Sequence, residues 1–133
     1  MKDSNIIFVC EHGAAKSIIA AAYFNHLAEQ ANLDIRAIAR GTDPDSELSS
    51  KTVAGLHVDG LTPTETIPQK LSLADVEDAQ QIVTFCKLPE EYQNQVPIEK
   101  WDDVPPVSEN YEKARDTIVE RLNHLLTRLR SSS

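Results

Sequence analysis

Basic residues are scarce in this sequence. Thirteen Lys and Arg stand against twenty-one Asp and Glu, a net charge of -8 over 133 residues. That balance argues against nucleic acid as a partner, because such binding rests largely on lysine and arginine neutralising phosphates. It also makes any anion site a local exception that must be built deliberately. No apolar run approaches the roughly 18 residues of a membrane span, and "MKDSNIIFVC" has too short an apolar stretch and the wrong flanks for a signal peptide. The expectation is a cytoplasmic protein with no membrane partner. There are only two cysteines, Cys10 and Cys86. Without an export signal they are expected to be reduced thiols rather than a structural bridge. His26, His57 and His124 have no partners at ligand spacing, so no metal-binding set is expected. Internal repeats and low-complexity linkers are absent. A hydrophobic fraction of 41% and a charged fraction of 26% are those of an ordinary globular protein. The length predicts one domain over 1–130, with 131–133 a frayed tail.

What is there reads as alternating strands and helices. "NIIFVC" (5–10) is a continuous apolar run of the kind that forms a buried parallel strand. A helix is expected over 16–31, with Ile19, Tyr23 and Leu27 on one face, and a second strand over 34–41. A right-handed crossover sets these two strands parallel. Helices are expected at 49–56 and within "LADVEDAQ", strands at 81–86 and, more weakly, 97–101. "WDDVPPVS" reads as a loop, since Pro105 and Pro106 cannot pair in a ladder. A final helix is marked by Tyr111, Ala114, Ile118, Leu122, Leu125 and Leu129, with Ser108 as its expected cap. The pattern is a doubly wound α/β fold around a four-stranded parallel sheet.

Ligands of such sheets bind outside the carboxyl ends of the strands, and Cys10 stands at one. "CEHGAAKS" (10–17) runs from that end straight into a helix. Gly13, Ala14 and Ala15 are small enough for backbone N–H groups to turn inward, and the helix N-terminus adds partial positive charge. Helix N-termini and nearby cations lower a thiol from about 8.5 to somewhere between roughly 3.5 and 7.5. Lys16 and His12 are the cations at hand, and Ser17 can donate to the sulfur. A thiolate beneath a bound tetrahedral anion is placed for in-line attack on phosphorus or arsenic. The plainer alternative is a small core residue ending a strand.

The loop "VCEHGAAKS" resembles the signature of the low-molecular-weight protein tyrosine phosphatases and the thiol-dependent arsenate reductases that share their fold. In that signature a cysteine is followed by five residues, an arginine and a serine or threonine. "ARGT", "SSKTVAGLHVDG", "QIVTFC" and "YEKARDTIVERLNHLL" extend the likeness over nearly the whole chain. The resemblance implies an oxyanion site made by Glu11, His12, Gly13, Ala14, Ala15, Lys16 and Ser17, with Cys10 as nucleophile. Three positions depart from it. Lys16 replaces the arginine whose planar fork grips two oxygens, and His12-Gly13 replaces a Gly-Asn pair.

Three activities follow. For a reductase, the resemblance implies that Cys86 captures the Cys10 adduct. No third cysteine follows in "KLPEEYQNQ", so an external thiol or a thioredoxin- or glutaredoxin-like partner regenerates the enzyme. For a phosphomonoesterase, the resemblance implies an acid in the late loop, Asp103 or Asp102 of "WDDVPP". Neither directly precedes proline, and Val107 and Ser108 stand where the phosphotyrosine-directed branch carries tyrosines. Trp101 also resembles the reductase branch and could line the cleft. The third possibility is an oxyanion-binding module without chemistry. The reductase-like reading is preferred, and no cofactor is expected beyond the external thiol.

Overall fold

The computed structural model describes residues 5–131. Four strands, β1 (Asn5–Cys10), β2 (Arg36–Gly41), β3 (Ala79–Thr84) and β4 (Ile98–Lys100), form one sheet in the order β2-β1-β3-β4, with every pair parallel. This is the fold class read from the sequence. β1 is central and apolar throughout because both its faces are covered. Ile6, Phe8 and Cys10 enter one core; Ile7 and Val9 enter the other.

The first face carries α1 (Lys16–Gln30), α2 (Ser50–Val58) and α4 (Tyr111–Ser131). The second carries α3 (Leu73–Glu77) and a 3-10 turn at Glu90–Tyr92. Helix α1 differs from its expected single apolar face. Ser17 to Ala22 are all buried, as are Phe24 and Ala28, whereas Tyr23 and Leu27 are half-exposed. The reason is that β1, β2, α2 and α4 all touch this helix, so small alanines serve where a neighbour approaches closely.

Helix α4 keeps the face expected of it, burying Ala114, Ile118, Leu122 and Leu125. Its cap is not Ser108. Asn110 accepts the Lys113 amide at 3.0 Å, because a turn on Pro106 takes up residues 106–110 first. β2 starts two residues later than expected, and β3 runs over 79–84 rather than 81–86, so Cys86 lies beyond its strand. Of the expected tail, Ser131 is the last residue of α4 and donates to the Thr127 carbonyl; 132–133 lie outside the described residues.

Three elements converge on Asp59, just past α2. Tyr23 of α1 donates to it at 2.6 Å, and Tyr111 and Arg115 of α4 donate at 2.9 and 3.1 Å. Burial alone would raise this carboxyl, but the two hydroxyls and the guanidinium hold it below its ordinary value.

Candidate active site

The register of β1 against β2 pairs Cys10 with Gly41, and this junction shapes the loop that follows. Gly13 has φ +61, a left-handed conformation open to glycine at little strain. It sits so close to Gly41 that a Cβ on Gly41 would lie 2.7 Å from the Gly13 nitrogen. The segment after Gly41 then binds the loop carbonyl by carbonyl. The amides of Thr42, Asp43, Asp45 and Ser49 donate to the carbonyls of Cys10, Glu11, His12 and Ala14 at 3.2, 2.7, 3.0 and 2.9 Å.

A trans peptide sets each N–H antiparallel to the carbonyl of the preceding residue, and the described residues contain no cis bond. With those four carbonyls turned outward, the amides of Glu11, His12, Gly13 and Ala15 face the opposite way. Helix α1 adds its own amides. Its N-cap position, Ala15, supplies no side-chain acceptor, whereas Ser49 caps α2, Ser72 caps α3 and Asn110 caps α4. Among the described residues, no side chain caps the first-turn donors of α1.

Beneath this cradle lies Cys10, 8% exposed. Its sulfur is 3.0 Å from the Oγ of fully buried Ser17. Above it opens a cleft of about 370 Å³ lined by Cys10, Lys16 and Cys86, together with His12, Asp45 and Pro106 to Ser108. Lys16 is not simply solvated: its Nζ donates to the Val104 carbonyl at 2.8 Å, tying the cradle to the 102–108 loop. Two of its three donors remain for other acceptors.

Cys86 is half-buried and, like Cys10, a free thiol. Burial pushes its thiol up, and side-chain hydrogen bonding with Thr84 and Thr42 acts against that. Thr84 Oγ1 shapes the turn here, donating to the Cys86 carbonyl at 2.8 Å and accepting its amide at 3.2 Å.

The structure does not bring the two expected acids to this cleft. Asp102 and Asp103 are exposed and outside its lining. Asp103 is clamped by both terminal nitrogens of Arg121 on α4, which holds its carboxyl at about 2. Trp101 is also absent from the cleft wall. It is 2% exposed and packed between Phe8 and Phe85, with Nε1 donating to Glu99 at 2.7 Å. His26, His57 and His124 are exposed helix residues, as expected.

Asp45, Ser49, Phe85 and Pro106 line the cleft without having been singled out. For Asp45 and Ser49 a signal existed, since "GTDPDSELS" follows the carboxyl end of the strand beside β1. Among the described residues, no group of three or more His, Cys, Asp or Glu could hold a metal ion, and no helix is long and apolar enough to cross a membrane.

A cysteine under inward amides at the end of a first parallel strand defines a class. Residues 5–104 match the family model for low molecular weight phosphotyrosine protein phosphatases, and the chain belongs to that family of enzymes. Among solved structures it is similar to YfkJ from Bacillus subtilis, with a TM-score of 0.85 at 19% identity over 100% of this chain and 98% of that one. An arsenate reductase from Archaeoglobus fulgidus is similar at TM-score 0.75 and 25% identity, covering 92% and 98%. A low molecular weight protein tyrosine phosphatase from T. tengcongensis is similar at 0.81 and 18%, covering 95% and 99%. No curated protein is a significant match to the sequence. The resemblance carried by "VCEHGAAKS" is thus borne out, as are the fold and the assignment to an enzyme family with both phosphatases and arsenate reductases among its structural neighbours.

Proposed function

We propose that this chain is a cysteine-thiolate enzyme acting on a tetrahedral oxyanion in the manner of an arsenate reductase, with Cys10 as nucleophile and Cys86 as resolving thiol. The observation that carries this reading is that both thiols line one cleft while both late-loop aspartates lie outside it. The likeness to the Archaeoglobus fulgidus arsenate reductase supports it.

Arsenate binds to the amides of Glu11, His12, Gly13 and Ala15 and the first turn of α1, with Lys16 supplying the cation and Ser17 holding the sulfur. Cys10 attacks arsenic, an As–O bond breaks, and the oxygen leaves as water after taking a proton. Cys86, as thiolate, then attacks Cys10 Sγ. The S–As electron pair returns to arsenic, arsenic(V) becomes arsenic(III), and arsenite departs as the disulfide forms. An external dithiol, small or thioredoxin- or glutaredoxin-like, reduces the disulfide by exchange.

The test is steady-state arsenite production with a dithiol donor. Cys10→Ser abolishes it, and Cys86→Ser reduces it to the rate at which external thiol alone attacks the adduct. Equal turnover by Cys86→Ser and wild type rejects the resolving role.

The family match itself favours a second reading, hydrolysis of phosphomonoesters through a phosphocysteine on the same Cys10. Turnover of an aryl phosphate that Cys10→Ser abolishes, without any arsenite from arsenate, selects that reading. Oxyanion binding without either reaction selects a binding module.

A further inference from the structure

Attack by Cys10 expels an oxygen that must take up a proton, and the aspartates expected to supply it lie outside the cleft. We propose that His12, oriented by Asp45, is the acid that protonates this oxygen; the inference rests on the thiolate reading above.

Both side chains line the cleft beside Cys10. His12 Nδ1 lies 3.2 Å from Asp45 Oδ1. Their backbones are fixed to each other, since the Asp45 amide donates to the His12 carbonyl at 3.0 Å and flanking bonds join Thr42 to Cys10 and Asp43 to Glu11. With a carboxylate beside Nδ1 as an ion-pair partner, the transferable proton is the one on Nε2. Nε2 is 4.0 Å from Glu11 Oε2, an ion-pair distance too long for a hydrogen bond, so among the described residues no hydrogen bond holds that proton. The charged and titratable groups around the ring are Asp45 and Glu11 beside it, with Lys16 and the thiols of Cys10 and Cys86 lining the same cleft. Among the described residues, His26, His57 and His124 show no such ion-pair partners.

In the step itself, the S–As bond forms and an As–O bond breaks. The bond's electron pair goes to oxygen, which takes the Nε2 proton of the imidazolium, and solvent reprotonates the ring. A phosphomonoester substitutes P–O for As–O with the same bookkeeping.

The test is kcat against pH for wild type, His12→Asn and Asp45→Asn, on arsenate with a dithiol and on aryl phosphates of graded leaving-group basicity. General-acid catalysis is worth roughly 10²- to 10⁴-fold. His12→Asn is expected to lose that factor, to lose the alkaline limb where the donor gives up its proton, and to suffer most with basic leaving groups. Asp45→Asn falls between it and wild type. Phosphate protection of Cys10 from alkylation stays intact in both, which excludes a collapsed loop. A Cys10-dependent activity that His12→Asn leaves within about twofold, with the alkaline limb preserved, overturns the dyad alone. No turnover of either substrate, or equal turnover by Cys10→Ser, overturns the thiolate reading and the dyad with it.

Discussion

The contact between Gly13 and Gly41 holds the cradle to the sheet, and Gly41→Ala isolates it. Gly41 has an ordinary backbone conformation, so the substitution adds only a Cβ. That atom meets Gly13 N at 2.7 Å and Gly13 Cα at 2.9 Å, against the 3.4 Å at which ordinary contact begins, and both neighbours are backbone. Loop and strand must part, stretching the bonds from Thr42, Asp43 and Asp45 to the loop carbonyls. Overpacking costs about 1–3 kcal/mol, and partial weakening of these three hydrogen bonds adds about 1–2 kcal/mol. For a chain of this size the sum lowers Tm by roughly 5–20 °C. Gly60→Ala is the control. Gly60 has φ +80 with nothing within 4 Å of the added atom, so only left-handed strain of about 1–2 kcal/mol is felt. Circular dichroism melts and phosphate protection of Cys10 from iodoacetamide are read together. Gly41→Ala loses stability and protection, while Gly60→Ala loses a little stability and keeps protection. A Gly41→Ala protein that protects Cys10 as well as wild type refutes the claim that this contact aims the amides.

Ser17→Ala removes the 3.0 Å partner of Cys10 and is expected to slow alkylation of Cys10 at neutral pH by about an order of magnitude, from a charge-assisted bond worth roughly 1.5–3 kcal/mol; an unchanged rate contradicts this. Asp103→Asn is expected to leave turnover within about twofold of wild type, because Arg121 holds Asp103 outside the cleft with its carboxyl at about 2; a large fall in kcat restores it as the acid. Asp59 contributes to the acid sensitivity of the fold. Its depressed carboxyl stabilises fully above the unfolded value of about 3.9, and that contribution is lost as pH falls through the folded value. Urea unfolding at pH 7 and pH 3 is expected to show the gap between wild type and Asp59→Asn shrinking at the lower pH; a pH-independent gap counts against the network.

The first strand, the loop and the last helix were legible because their signals are local. An unbroken apolar run, a string of small residues and a spacing of three or four each declare a strand, a cradle or a helical face without reference to distant chain. The errors came from contacts between distant residues. Arg121 is eighteen positions after Asp103, on a helix the sequence reading treated only as packing, and its clamp decides where that carboxylate points. The pairing of His12 with Asp45 likewise depends on the parallel register of β1 and β2, which a spacing cannot convey. Helix α1 looked one-faced because periodicity counts apolar residues and not neighbours, and here two helices and two strands converge on it. Ser108 looked like a cap until the Pro106 turn displaced the helix start to Tyr111.

The most direct measurement is peptide mass mapping after the reduced protein has met one equivalent of arsenate with no other thiol present. A Cys10–Cys86 disulfide formed in step with one arsenite released per chain is the predicted result. Two free thiols and no arsenite contradict the account.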